Sequence, residues 1–149
     1  MEYTARATAD GNGRNGRVSS DDGLIDLKLS IPPELGGAGG GSNPEQLFAA
    51  GYAGCFMSAV GTVARLRKVK LTDPSVTAAV TIAPGDDGLQ LSVELTIALP
   101  GVDVSEAHAV VDAAHRRCPY SKALSGNVPV KMRVLVRPLG EVAQHSGKD

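Results

Sequence analysis

The chain has 149 residues, of which 42% are hydrophobic and 21% are charged, and its formal net charge at pH 7 is -1. This composition is typical of a soluble globular protein, and the length predicts a single domain over residues 1–149. A charge so close to zero gives no electrostatic attraction to nucleic acid or to a membrane surface, so neither is expected as a partner. The N-terminus has no secretory pattern and no apolar run approaches the roughly 18 residues of a membrane span, which together indicate the cytoplasm.

Aromatic residues and cysteines are both scarce. Three Tyr, two Phe and no Trp leave the core to smaller aliphatic residues. Such a core is light for the length of the chain, and pairing two chains over a large interface would compensate, so we expect a dimer. The two cysteines are Cys55 and Cys118. In a reducing cytosol, a disulfide between them is more typical of a transient catalytic bond than of a structural one.

The first third of the chain predicts two strands around a glycine-rich turn. Residues 3–9 alternate loosely, and residues 24–29 place apolar side chains on one face and charged side chains on the other. Between them, GNGRNGR at residues 11–17 predicts a turn, because Gly and Asn readily adopt positive φ angles. We therefore predict one hairpin. The following stretch, IPPELGGAGGGSN, contains too many prolines and glycines for a helix or a central strand.

A long helix is predicted to start within NPEQLFAAGYAGCF. Asn43 suits the cap position, Pro44 the first helical position, and Gln46 can complete a capping box with Asn43. The helical pattern runs to about Lys68 and is apolar nearly all round, which predicts a helix at the centre of the fold. Cys55 lies on this helix and is not expected to face solvent.

The second half of the chain predicts a hairpin, a helix and a last strand. Residues 77–83 and 89–99 alternate around the turn PGDDG, and residues 104–117 form an amphipathic helix. This helix must end at Cys118, because Pro119 disfavours helical geometry in the residue before it. Residues 128–137 predict one more strand. The whole pattern predicts an α+β protein with helices packed on antiparallel sheets.

The cysteines do not show metal-site spacing. Cys55 and Cys118 are far apart and neither belongs to a Cys-x-x-Cys pair or a Cys/His cluster, so no metal site is expected. A cysteine hydrolase would need His108 or His115 beside Cys55, together with an oxyanion hole, and no motif supports that arrangement. Thiol chemistry of another kind therefore remains the alternative to a purely structural role.

A reactive thiol requires a positive neighbour. A free thiol with a pKa near 8.5 is only about 3% ionised at pH 7, and a nearby arginine would lower that pKa. Arg14 is the most interesting candidate, because a cation on a flexible loop can bend into a pocket, although a solvated turn residue is the simpler interpretation. The other candidate cations are Arg6, Arg17, Arg116 and Arg117.

Glu45 allows two interpretations as well. A glutamate in the first turn of a helix is explained by the helix dipole alone. Ten residues separate Glu45 from Cys55, which is about 15 Å along an unbroken helix. If both served one site, the helix would have to bend near residues 49–51, or Glu45 would have to come from a second chain.

Four blocks of the sequence carry a family resemblance. They are GRNGRVSSDDGLIDLKL, PPELGG, NPEQLFAAGYAGCF and RRCPYSKALSGN. Together they closely resemble the organic hydroperoxide resistance proteins, thiol peroxidases related to the osmotically inducible protein C group. The resemblance spans residues 3–136 and implies an OsmC-like α+β fold, with antiparallel sheets around a central apolar helix, in an intertwined homodimer with two sites at its interface.

The resemblance also implies a role for each candidate residue. Cys55 matches the peroxidatic cysteine, whose thiolate attacks the peroxide, and Cys118 matches the resolving cysteine, which closes an intramolecular disulfide. Arg14 matches the arginine that holds the thiolate, and Glu45 matches the carboxylate that orients this arginine. Two departures occur: Asn15 stands where Asp is expected, and Gly54 stands where Ser or Ala is commoner.

The implied activity is reduction of alkyl and fatty-acid hydroperoxides to alcohols. It needs no bound cofactor or metal, and the external reductant is dihydrolipoamide on a lipoylated protein. Two other functions stay open. The chain could be a non-catalytic thiol redox sensor or lipid-binding module on the same fold, or a cysteine hydrolase that is acylated at Cys55 and indifferent to loss of Cys118.

Overall fold

The computed structural model describes residues 1–137. The chain forms two compact units, Met1–Phe48 and Ala49–Asp149, and residues 138–149 of the predicted single domain lie outside the described part. The described elements are helices and strands in mixed order, which confirms the α+β class.

The first unit contains a three-stranded antiparallel sheet in the order β1-β2-β3. Its strands are β1 (Ala7–Asp10), β2 (Arg17–Ser20) and β3 (Asp26–Lys28). The glycine-rich turn therefore joins β1 to β2, and not to the strand predicted at 24–29. The prediction missed β2 because its sequence, RVSS, holds one apolar residue and gives no alternation. Val18 pairs with Ala9 on one side and Leu27 on the other.

The second unit contains a second sheet and most of the helical residues. Helix α1 (Pro44–Arg67) begins in the first unit and continues into the second. The other elements of the second unit are β4 (Ser75–Gly85), β5 (Gly88–Ala98), α2 (Val104–Arg117), α3 (Pro119–Leu124) and β6 (Val130–Leu135). The sheet order is β4-β5-β6. Strands β4 and β5 form the predicted antiparallel hairpin.

Strand β6 differs from the prediction of purely antiparallel sheets. It pairs parallel to β5, from Val93 opposite Val130 to Ala98 opposite Leu135. The physical reason is the connection: α2 and α3 form a crossover, which brings the chain back to run in the same direction as β5. A periodicity of two residues predicts a strand but carries no information about its direction.

Local capping signals place the helix ends. The Oδ1 atom of Asn43 accepts a hydrogen bond from the Gln46 amide at 2.9 Å, and the Asn43 amide donates to Gln46 Oε1 at 3.2 Å, which confirms the capping box. Helix α2 ends at Cys118, whose ψ of 122° is extended, as Pro119 requires. The sequence analysis did not predict α3, which starts at that proline immediately after the break.

Helix α1 supplies one face to the core of the second unit. Its buried residues are Tyr52, Phe56, Ala59, Val60, Val63 and Ala64. By length and composition alone this helix could cross a membrane, contrary to the sequence expectation, because its only charged residues are Glu45, Arg65 and Arg67. Within the described chain, 33% of its most apolar window is buried.

Candidate active site

Arg14 and Glu45 form a bidentate ion pair within the first unit. The guanidinium Nη1 donates to Glu45 Oε2 at 2.9 Å, and Nη2 donates to Oε1 at 2.7 Å. The Glu45 side chain is 14% exposed and that of Arg14 is 37% exposed. The hydrogen bonds from Arg14 hold the pKa of Glu45 below its usual value, although partial burial opposes this shift. Both groups are therefore charged at neutral pH.

The loop that carries Arg14 is shaped by its neighbours. Arg14 lies in a single turn of 3-10 helix, Gly13–Asn15, and the φ of Gly13 is positive at 50°. Gly16 is required for a different reason, since a Cβ atom there would overlap the backbone carbonyl of Asp10. The side chain of Asn15 accepts a hydrogen bond from the Ile31 amide at 3.1 Å. These contacts anchor the turn on both sides of Arg14.

The two cysteines meet in the second unit. The Cys118 thiol points to the Cys55 sulfur, with 3.6 Å between the two Sγ atoms, and both cysteines are free thiols. Cys55 lies on α1 and is half-buried, whereas Cys118 lies between α2 and α3 and is fully buried. Residues 63 positions apart are thereby placed within reach of a disulfide.

Burial dominates the electrostatics of Cys55. It raises the pKa of this thiol, because the thiolate loses hydration, while the backbone amide of Tyr120 offsets part of the rise. The hydrogen bond with Cys118 raises the pKa of Cys55 further, and charge repulsion between the two sulfurs adds to this rise. The raised pKa favours the thiol form of Cys55 over the thiolate. A nearby cation would therefore be needed to make Cys55 a nucleophile at neutral pH.

A chain of polar side chains lies next to the thiols. Tyr52 Oη and Ser121 Oγ are 2.8 Å apart, and Ser121 Oγ is 3.0 Å from His115 Nδ1. Tyr52 and Ser121 are both buried, and burial raises the pKa of the Tyr52 phenol. The sequence analysis did not find this chain. A usable signal was present, because Tyr52 is three residues before Cys55 and Ser121 three residues after Cys118.

The remaining candidates have simpler positions. Over residues 1–137, no hydrogen bond joins a histidine to either thiol, and no cluster of three metal-ligating side chains is found. Phe56 is fully buried in the core, and its ring packs against that of His115, with 6.4 Å between the two ring centroids. Tyr120 is 43% exposed, and its ring lies against Gly51, where a Cβ would stand 3.4 Å from it.

The four predicted site residues are therefore found as two pairs. Arg14 and Glu45 are paired in the first unit, and Cys55 and Cys118 are paired in the second. Helix α1, which carries Glu45 and Cys55, runs without a break from Pro44 to Arg67. The helical assignment is continuous through residues 49–51, where the sequence analysis allowed a bend.

Comparisons with known proteins agree on one family. Residues 37–133 match the OsmC-like protein family. An organic hydroperoxide resistance protein of Xanthomonas axonopodis pv. citri is 53% identical over 132 residues, which cover 87% of this chain and 92% of the relative.

Solved structures lead to the same result. An organic hydroperoxide resistance protein of Legionella pneumophila is 49% identical, with a TM-score of 0.86 over 91% of this chain and 99% of that one. The protein OhrB of Bacillus subtilis is 40% identical, with a TM-score of 0.81 over 89% and 98% of the two chains. The OsmC-like fold predicted from the sequence is thus confirmed, and the chain belongs to the organic hydroperoxide resistance family of OsmC-like proteins.

Proposed function

We propose that this protein is a two-cysteine peroxidase that reduces organic hydroperoxides to alcohols. The observation that carries the proposal is the approach of the two thiols, with the sulfur atoms of Cys55 and Cys118 3.6 Å apart. The names of its relatives connect the family with organic hydroperoxide resistance, and a redox reaction that breaks the peroxide bond would provide such resistance. A thiol pair of this kind supplies that reaction without a bound cofactor.

The proposed reaction has three steps. The Cys55 thiolate attacks the terminal oxygen of the hydroperoxide, the O–O bond breaks, and the alkoxide takes up a proton to leave as an alcohol. Cys55 is then a sulfenic acid. The Cys118 sulfur attacks the Cys55 sulfur and displaces water, which forms the disulfide. A dithiol reductant finally returns both cysteines to thiols and is itself oxidised to a disulfide.

Arg14 is the proposed cation of the reaction, and Glu45 orients it. A guanidinium beside the thiolate would lower the pKa of Cys55 and would stabilise the alkoxide as it leaves. Because α1 is unbroken, we propose that the Arg14–Glu45 pair of one copy acts on the thiols of a second copy, in a homodimer with two such sites. The ion pair would then contribute its charge only in the assembled protein.

The proposed electron donor is dihydrolipoamide carried on a lipoylated protein, and the proposed compartment is the cytoplasm. A dithiol is the fitting class of reductant, because it reduces a disulfide by exchange and closes a ring as it leaves. The substrates are alkyl or fatty-acid hydroperoxides. Neither nucleic acid nor a membrane is a proposed partner, and no metal or prosthetic group takes part in the steps above.

The test is steady-state consumption of tert-butyl hydroperoxide with dihydrolipoamide, lipoamide dehydrogenase and NADH. Thioredoxin and glutathione serve as alternative reductants. We expect turnover that depends on lipoamide and disappears in Cys55→Ser. A protein that is oxidised once and then stops with every reductant would instead be a redox sensor or a binding module.

A second variant separates the roles of the two cysteines. Cys118→Ser should still reduce one hydroperoxide per Cys55 and then accumulate sulfenic or over-oxidised Cys55, which mass spectrometry detects. Sustained turnover in Cys118→Ser at the wild-type rate would remove Cys118 from the mechanism.

A further inference from the structure

Two contacts between α1 and the start of α3 are in register. Tyr52 and Cys55 lie three residues apart on α1, and their partners, Ser121 and Cys118, also lie three residues apart. Residues at this spacing share one face of a helix. The hydroxyl pair, 2.8 Å apart, and the thiol pair, 3.6 Å apart, are therefore neighbouring non-covalent contacts between the same two segments. The two segments run in opposite directions past these contacts.

A third group joins the hydroxyl pair from α2. His115 lies in the last turn of α2, and its Nδ1 is 3.0 Å from Ser121 Oγ. The His115–Ser121 contact thus spans the break at Cys118, where the backbone leaves α2 and starts α3. A serine hydroxyl has one proton and two lone pairs, so Ser121 can bond to both neighbours at once.

The position of Cys118 depends on this junction. Its side chain makes no capping bond at the start of α3, which leaves the thiol to point to Cys55. A disulfide requires the two sulfurs to close from 3.6 Å to about 2.05 Å, so they must approach each other by roughly 1.5 Å in total. Such a small approach is sufficient as long as the rest of the junction keeps Cys118 in line with Cys55.

We propose that Tyr52, Ser121 and His115 are positioning residues that hold Cys118 within reach of Cys55 and thereby set the rate of disulfide closure. The inference rests on the proposed peroxidase function. A sulfenic acid has two fates: condensation with the Cys118 thiol, which releases water, or reaction with a second hydroperoxide, which gives sulfinic acid and an alcohol. Faster closure favours the first fate, so the polar chain protects Cys55 from over-oxidation.

The experiment measures the first oxidation of Cys55 and the closure of the disulfide separately, in rapid mixing with tert-butyl hydroperoxide. Tyr52→Phe removes one hydroxyl and keeps the ring that packs on Phe56 and Tyr120. Ser121→Ala removes both bonds of the central hydroxyl. Ser125→Ala is the matched control, because it removes an exposed hydroxyl at the other end of α3. Mass spectrometry gives the fractions of disulfide, sulfenic acid and sulfinic acid against time.

We expect the first oxidation of Cys55 to stay near the wild-type rate in Tyr52→Phe and Ser121→Ala, while disulfide closure slows about fivefold, the effect of one net hydrogen bond. A correspondingly larger fraction of Cys55 should then accumulate as sulfinic acid. His115→Ala should behave in the same way, and His115→Asn should restore closure, because the amide of Asn can occupy the position of Nδ1. A general folding defect would slow both steps alike.

Two results would overturn the inference in different ways. If the wild-type protein forms a disulfide and Tyr52→Phe closes it as fast, with no additional sulfinic acid, the positioning role is wrong and the peroxidase function stands. If the wild-type protein forms no disulfide with the hydroperoxide, the proposed function fails, and the positioning role fails with it. Tyr52→Phe decides between these cases even if Ser121→Ala does not fold.

Discussion

Two arginines on the first hairpin make similar ion pairs with different surroundings. Arg14 is bidentate to Glu45, and Arg17 is bidentate to Asp26, with contacts of 2.7 Å in each pair. The Arg17 pair is about half exposed on both sides, whereas the Glu45 side chain is only 14% exposed. Only the Arg14 pair is therefore partly shielded from water, and Arg17 offers a matched control for it.

Arg14→Ala should raise the pKa of Cys55. If the proposed dimer places Arg14 beside the thiolate, its removal leaves the effect of burial unopposed, and the midpoint of Cys55 alkylation should move to higher pH. Iodoacetamide labelling against pH measures this midpoint, in a Cys118→Ser background so that one thiol is followed. Arg17→Ala should leave the midpoint in place. An equal midpoint in Arg14→Ala and its parent would exclude Arg14 from the site.

The Arg14–Glu45 pair should also contribute a pH-dependent stability. The folded pKa of Glu45 is lowered, so the pair stabilises fully above the unfolded pKa near 4.3, and this stability is lost as the pH falls through the folded value. With Arg14 at 37% exposure, screening limits the gain to about 0.5–1 kcal/mol. Urea unfolding should show Arg14→Ala less stable than wild type at pH 7, and the two should converge in acid. A constant difference down to pH 2 would contradict the pair as its source.

At the scale of elements, helix ends carry specific side-chain bonds. The Oδ1 atom of Asp103 accepts from the amides of Ser105 and Glu106 at 2.9 and 3.2 Å, at the start of α2. This helix carries His115 and leads into Cys118, so its stability bears directly on the candidate site. Helix α1 differs, because it contains glycines at positions 51, 54 and 61, which lower its intrinsic helix propensity without breaking it.

Asp103→Ala should destabilise the protein by about 1 kcal/mol, because two amides of the first turn of α2 lose their acceptor. Asp112→Ala, which removes an exposed carboxylate from the middle of the same helix, is the control and should change stability much less. Thermal and urea unfolding measure both. Equal effects of the two substitutions would show that charge, and not capping, is responsible.

Gly54→Ala should stabilise α1. Gly54 is exposed, and a Cβ atom there meets no other atom within 4 Å, so alanine gains roughly 0.5–1 kcal/mol of helix propensity without a clash. Urea unfolding tests this directly. A loss of stability would instead show that a neighbouring chain packs closely on this face of the helix.

At the scale of the whole molecule, the first unit has almost no core. Among its described residues only Leu29, Ser30 and Asn43 are buried, and every residue of β1 is exposed. A three-stranded sheet needs a covered apolar face to be stable. Exposed apolar side chains such as Tyr3 at 86% and Leu24 at 87% are available for an interface. These features support the proposed homodimer.

We therefore expect a dimer in solution at micromolar concentration. Light scattering after size exclusion should give twice the mass of one chain, and sedimentation should detect no folded monomer on dilution. The physical reason is that a unit with so few buried residues gains most of its apolar burial from a partner. A stable monomer would contradict both the dimer and the proposed supply of Arg14 from a second copy.

The sequence by itself determined the features that depend on near neighbours. The capping box of Asn43 and Gln46, the end of α2 before Pro119 and the β4–β5 hairpin all arise from residues a few positions apart. Sequence blocks also indicated the family, which the comparisons confirmed. The single domain over 1–149 and the roles of the four site residues stay predictions.

Only the tertiary structure decided how distant segments meet. The contacts between Arg14 and Glu45, between Cys55 and Cys118 and between Tyr52 and Ser121 join residues 31, 63 and 69 positions apart. The parallel direction of β6 likewise follows from the crossover through α2 and α3. Local propensities act over one or two helical turns, whereas these contacts depend on how whole elements pack, and that is why no single stretch of sequence could reveal them.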